Sequence, residues 1–172
     1  MIKTRKRKKK IQHMPKRYVS NFKGKKKREQ IKEILKSKAF YKKGKYYTRK
    51  KFKSFKAKRS KHLKNAEKIY NISVIKPSFS LANATKCSIN GLTKIFKKGV
   101  GAYYSSGSRP NQTGHSWAYA RLASAITGGK ASAVDMKILE HSCQKSSKAL
   151  KLAKQNYKKY KKGTRRVKQV KV

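Results

Sequence analysis

The sequence predicts a mainly α-helical protein: a small helical domain in the middle of the chain, flanked by long basic arms with little tertiary core. Three observations lead there. Apolar residues recur at three- and four-residue spacing in several separate stretches, the mark of amphipathic helices. Lys and Arg number 51 among 172 residues and Asp and Glu only 5, a net charge of +46, while apolar residues make up 36%, below the roughly 45–50% of an ordinary soluble domain. The charge is also uneven. Residues 1–70 hold 30 basic and 3 acidic side chains, residues 71–147 hold 10 and 2, and residues 148–172 hold 11 and none. Four segments are expected: a disordered basic arm over 1–24, a basic aromatic-rich extension with short helices over 25–70, the small helical domain over 71–147, and a basic helical tail over 148–172.

The arms read as follows. Residues 1–10 are too densely charged to order without a partner. Ile31, Ile34 and Leu35 give residues 25–38 a helical stripe. Over 40–59, Phe40, Tyr41, Tyr46, Tyr47, Phe52 and Phe55 alternate with Lys and Arg, which predicts extended chain, partly strand-like over 46–55. Leu63, Ala66, Ile69 and Tyr70 restore helical spacing over 60–70. In the tail, Ala149, Ala153, Tyr157 and Tyr160 share a face opposite Lys, Gly163 is a stop, and the residues from Thr164 onward form a loose end.

The sharpest pattern lies in residues 80–99. Ser78 or Ser80 is placed to cap a short helix carrying Leu81, Ala82 and Ala84. Lys86 and Cys87 make a turn, and Ser88 is a natural N-cap for a second helix. That helix has an apolar face of Ile89, Leu92, Ile95 and Phe96 and is expected to stop at Gly99. The spacing resembles the DNA-binding helix-turn-helix pattern, with Ala82 as the small residue between the helices and Cys87 as the apolar plug. The departure is Lys86, where that pattern most often has Gly in a left-handed conformation; Lys tolerates it at about 1 kcal/mol. The resemblance implies that Ser88, Asn90, Gly91 and Thr93 face a major groove and that Lys94, Lys97 and Lys98 face phosphates. The alternative is a helical hairpin that only packs.

A Gly- and Ser-rich loop follows over 99–112, and then a helix over 114–127 capped by Thr113 and ended by Gly128 and Gly129. Ser132 and Asp135 read as a capping box for one more helix through Val134, Ile138 and Leu139. The motif core is Gly101, Tyr103, Ser106, Gly107, Ser108, Arg109, Pro110, Trp117 and Arg121, with Gly99, Ala102, Ala120 and Asp135 completing it. On these residues the block over 60–145 resembles an uncharacterised, helix-turn-helix-like domain of large double-stranded DNA viruses of eukaryotes and of some tailed phages. That family has no established activity, so the resemblance implies a viral source rather than a reaction.

The chemistry of the loop has two readings. Ser and Gly amides can form an anion nest closed by Arg109, or Arg109 pairs with Asp135 and the Ser and Gly residues shape a rigid turn. Trp117 and Arg121 stand four apart, as a cation–π pair would, or Trp117 is simply core. Catalysis is not expected. Ser105, Ser106, Ser108, His115 and His141 have no pattern that fixes a triad, and neither a Gly-x-Ser-x-Gly elbow nor a Walker sequence occurs. No cofactor, metal or small-molecule substrate is expected. His13 and His62 read as solvated. Cys87 and Cys143 lack zinc-type spacing and are expected as buried free thiols in a reducing compartment. No stretch reaches the roughly 18 apolar residues of a membrane span, and residues 1–10 lack the apolar run of a secretory signal.

The expected function is a basic, non-enzymatic, virion-associated protein that neutralises, condenses or tethers a packaged genome, with double-stranded DNA as the favoured partner. Forty-six charges match roughly 23 base pairs of duplex. The candidate phosphate contacts are Lys8, Lys9, Lys10, Lys25, Lys26, Lys27, Arg28, Arg49, Lys50, Lys51, Lys94, Lys97, Lys98, Arg109, Lys158, Lys159, Lys161, Lys162, Arg165 and Arg166, beside Ser88, Asn90 and Thr93. Tyr46, Tyr47, Phe52 and Phe55 are candidates for stacking on bases, or for anchoring the arm to the domain. The alternatives are a minor capsid protein whose arms run along acidic capsid surfaces, and a sequence-specific regulator. The resemblance places the protein in the virion, and in the host nucleus or a cytoplasmic viral factory. Basic runs such as residues 5–10 fit nuclear import and polyanion binding equally.

Overall fold

Helical spacing in the sequence becomes eight α-helices in a computed structural model of the chain, which describes residues 12–160 and 167–172. They are α1 (Gly24–Lys42), α2 (Lys61–Tyr70), α3 (Phe79–Thr85), α4 (Ile89–Ser106), α5 (Gly114–Ile126), α6 (Lys130–Val134), α7 (Met136–Ser142) and α8 (Lys148–Lys159). Two short strands, β1 (His13–Pro15) and β2 (Gln169–Lys171), pair antiparallel with Met14 opposite Val170.

Local chemistry sets most helix starts. The side chains of Ser60, Ser78, Ser88, Thr113 and Ser147 each accept a backbone N–H from the first turn they precede. Each such cap contributes about 1 kcal/mol. Thr113 and Ser116 cap reciprocally. Between α3 and α4, Lys86 takes the left-handed conformation at φ 53°, as the turn requires.

The main core gathers Leu81, Leu92, Ile95, Leu122, Ile126 and Leu139, all fully buried. Ala66 and Tyr70 of α2, and Ala149, Leu150 and Ala153 of α8, belong to the same cluster. The core therefore draws on residues from the extension and the tail as well as from 71–147. Burial pushes the Tyr70 phenol up to about 12, and it stays a donor to the carbonyl of Ile126 at 2.6 Å. A second cluster joins Met14, Tyr18, Val19 and Ile34, with Trp117, Val170 and Val172 against it.

Several expectations are corrected here. The segment from residue 12 to 60 is not an arm without core: Met14, Tyr18, Val19, Phe22, Ile34 and Phe52 are buried. Phe40 and Tyr41 lie in the last turn of α1, and residues 43–60 are irregular chain with no strand. Residues 167–172 are no loose end, since β2 pairs with β1 and the amide of Val172 reaches the carbonyl of Gln12 at 2.9 Å. The expected disorder of 1–10 and the stop at Gly163 lie outside the described residues.

Gly99 does not end its helix. α4 continues another two turns to Ser106, because Gly99 is where α5 crosses closest: a methyl placed on it would lie 2.5 Å from the Cα of Ala118. The helix stops instead at Gly107, whose φ of +89° suits only glycine. Ser132 and Asp135 form no capping box; Ser132 lies inside α6 and Asp135 caps α7 without a side-chain bond. Substituting Gly99→Ala should therefore destabilise the fold by about 1–3 kcal/mol through overpacking, read as a lowered midpoint in urea with an unchanged slope.

Candidate nucleic-acid interface

The exposed side of α4 is built by helical spacing. Asn90, Lys94, Lys97, Lys98, Gly101 and Ser105 recur at three or four residues and form one stripe opposite the buried Leu92, Ile95 and Tyr103. At 1.5 Å per residue the stripe runs about 22 Å. α7 forms one wall, with Ile138 and Ser142, and Tyr41 of α1 forms the other. The close fit of α7 explains Gly91, which is buried: a methyl there would collide with the hydroxyl of Ser142 at 2.1 Å. The expectation that Gly91 faces outward is thus corrected. Ser88 and Asn90 are exposed and Thr93 is half-buried.

Two shallow concavities lie along this stripe. The first is lined by Lys94, Lys97, Lys98, Gly101, Ser105, Tyr41 and Ile138. The second lies at the α3–α4 turn and is lined by Phe79, Asn83, Lys86, Ser88, Asn90 and Gln144. Its two sides are tied together. The amide of Ser88 donates to Ser142 O at 2.7 Å, and that of Gln144 to Lys86 O at 2.9 Å. Cys87 and Cys143, expected as free thiols, are joined as a disulfide between these two strands of chain.

Asp135 holds the stripe in place. Its buried carboxylate accepts two bonds from Arg121, both at 2.8 Å, and pairs with Lys98 Nζ at 2.8 Å. Arg121 therefore pairs with Asp135 rather than stacking on Trp117, whose ring meets Tyr18 edge-on at 5.9 Å. Arg109 does not reach Asp135 and is exposed.

The motif loop uses its polar groups inside the fold. Ser108 is buried; its hydroxyl accepts from Arg49 at 3.0 Å, and its carbonyl accepts from Gln30 at 3.3 Å. Arg49 is itself buried and stacks on the Tyr103 ring at 3.8 Å, so it is no surface phosphate contact. Gly107 lies against Ile34, where a methyl would come within 2.7 Å. Asn111 clamps Phe52 through both backbone groups, at 2.8 and 2.9 Å. The loop is thus a seat for the extension, with Ser108 and Asn111 engaged inside the fold and Arg109 left at the surface.

The stacking candidates divide. Phe52 is buried against Phe22, and Phe55 meets the same ring. Tyr47 donates to Glu33 and lies under Lys36 Nζ. These three anchor the extension. Tyr46 stays exposed, packed on Tyr41 and Tyr104.

Among the remaining cations, Lys25, Lys26, Lys27 and Arg28 are exposed on the first turns of α1, and Lys51, Lys158 and Lys159 are also exposed. Lys50 pairs with Glu29. Lys8, Lys9, Lys10, Lys161, Lys162, Arg165 and Arg166 lie outside the described residues. Of the catalytic residue types, Ser105 lies near Ser106 and the Nδ1 of His141 meets the Lys137 carbonyl. Among the described residues no group of three or more His, Cys, Asp or Glu is placed to hold a metal, and no helix is long and apolar enough to cross a membrane.

Phe79, Lys86 and Gln144 join the site without having been expected there from the sequence. The available signal was Phe79 itself, an aromatic between two Ser that falls off the buried Leu81, Ala82 and Thr85 face.

A model of the family of unknown function DUF5824 matches residues 15–142, about three-quarters of the chain. The chain belongs to this family. The match takes in residues 15–59, the extension seated on the motif loop. No curated protein and no solved structure matches the chain.

Two outcomes follow from the geometry. Asp135→Asn leaves Arg121 and Lys98 without their carboxylate and should cost about 3 kcal/mol of stability, measured by denaturant unfolding. Removing the disulfide with Cys87→Ser and Cys143→Ser frees a loop of 56 residues. The expected loss approaches about 4 kcal/mol by chain entropy, seen as a lowered melting temperature that reductant reproduces in the wild type.

Proposed function

We propose that the protein binds nucleic acid, largely without regard to sequence, through the lysine stripe of α4 and the cationic surface around it. The observation that carries this is the disposition of the acids. There are five carboxylates against 51 cations, and four of the five are engaged within the fold. Glu29 pairs with Lys50, Glu67 with Arg59, Asp135 with Arg121 and Lys98, and Glu33 accepts from Tyr47 and the Lys50 amide. The outer surface is left with almost no negative charge of its own. A surface of this kind calls for a polyanion.

The joining of α3 to α4 through a left-handed Lys86 and a capping Ser88 supports the helix-turn-helix-like reading. In that reading Ser88, Asn90 and Thr93 lie toward base edges and Lys94 and Lys97 toward phosphates. Lys outnumbers Arg 41 to 10, which favours diffuse phosphate neutralisation over bidentate base reading. With the motif's resemblance to domains of large DNA viruses and phages, the proposed setting is the virion. There a non-enzymatic protein of this kind neutralises, condenses or tethers the packaged genome, and during infection it resides in the host nucleus or a cytoplasmic viral factory.

The test is binding of the full chain to random-sequence duplex DNA across a salt series. A steep fall of affinity with salt is expected. Lys94→Gln with Lys97→Gln, both exposed and outside the ion pairs described above, should lower the slope of log affinity against log salt by roughly 1.8, about 0.9 for each phosphate no longer neutralised. Weak, nearly salt-independent binding by the wild type would overturn the proposal and turn attention to acidic capsid surfaces.

A further inference from the structure

The concavity at the α3–α4 turn has a composition that phosphate binding does not call for. Phe79 is 79% exposed, the most open of the large apolar side chains among the described residues. It stands at the first position of α3, one turn before Asn83. Across the concavity lie Asn90 and Gln144. The amide side chains of Asn83, Asn90 and Gln144 are all exposed, and none makes a hydrogen bond among the described residues. Lys86 stands on the rim and Lys94 lies one turn along α4 from Asn90.

We infer that this concavity binds an unpaired nucleobase. An exposed aromatic supplies a face on which any base can stack. Side-chain amides supply a donor and an acceptor each, which match the edge of a base that has left its pair. Lys86 and Lys94 flank the position and meet the phosphates on either side. The strand then continues along Lys97 toward Tyr46, the aromatic that stays open at the α1 side of the groove. This inference rests on the nucleic-acid reading above and names the state of the nucleic acid: single-stranded, or locally opened. The Cys87–Cys143 disulfide fixes the distance between Lys86 and Gln144 and so keeps the concavity preformed.

The rival form of the same binding is a duplex held only by its phosphates. The two differ in what Phe79 does. In a regular duplex the bases are stacked on one another and offer Phe79 no open face.

The test uses the full chain and four fluorescent probes of equal length: a 15-residue thymidine strand, a 15-residue uridine strand, a 15-base-pair duplex and a 15-residue abasic strand. All are titrated at one salt concentration. The wild type should bind the thymidine or the uridine strand about tenfold more tightly than the abasic strand. Phe79→Ala should lose about tenfold on the base-bearing strands and stay within twofold on the abasic strand and the duplex. Phe79→Tyr should restore binding. Because the ring is open to solvent, its removal leaves the core intact. The two strands separate DNA from RNA as the source of the base. Equal loss on the abasic strand, or no loss on either base-bearing strand, would overturn the base site while leaving phosphate binding standing. Wild-type binding that is weak on all four probes would overturn both.

Discussion

The buried carboxylate of Asp135 is where three helices are tied by charge. Arg121 reaches it from α5, Lys98 from α4, and Asp135 itself opens α7. In a chain of net charge +46, drawing helices together means drawing cations together, and an internal anion is the direct remedy. One carboxylate serves two cations here. It leaves a net positive charge at the junction, and that charge emerges at Lys98 on the α4 stripe. The side chain that aligns α4 with α7 is thus also part of the surface that α4 presents. Packing and electrostatic character come from one interaction.

The same economy runs through the extension. Glu29 and Glu33 hold residues 47–50 against α1, and Glu67 holds Arg59 against α2. Where no acid is available, the chain uses rings and carbonyls. Arg49 lies on the face of Tyr103 and donates to Ser108, and Lys36 stands over Tyr47. The motif loop then acquires a structural meaning. Gly107 admits Ile34, Ser108 receives Arg49 and Gln30, and Asn111 clamps Phe52. Its residues describe the fit of one part of the chain to another.

Helices were legible wherever an apolar stripe and a capping side chain agreed, as at Ser88 and Thr113, and at Ser78, which shared its candidacy with Ser80. The reversal at Lys86 and Cys87 was legible from the apolar stripes and caps on either side, and the left-handed conformation of Lys86 followed from the helix-turn-helix resemblance. Three features were not. Gly99 looked like a helix stop because a local reading cannot see Ala118 approaching; glycine served the crossing of two helices, and the true stop lay two turns on. The four stacking candidates, Tyr46, Tyr47, Phe52 and Phe55, were compatible with open stacking or anchoring, and only the positions of Phe22, Glu33 and Asn111 decide for anchoring in three of the four. The disulfide was invisible because Cys87 and Cys143 are far apart in sequence and meet only when α7 folds beside α4. At the candidate site, the lysine stripe and Asn90 followed from helical spacing. Phe79 did not, since an exposed aromatic and a buried one look alike in sequence.

The pairing of β1 with β2 brings the two ends of the described chain together: Val172 donates to the carbonyl of Gln12. Linear order is then a weak constraint on this fold. The helices could be threaded by a circularly permuted chain, joined at that corner and opened within the irregular residues 53–59, without crossing any core element.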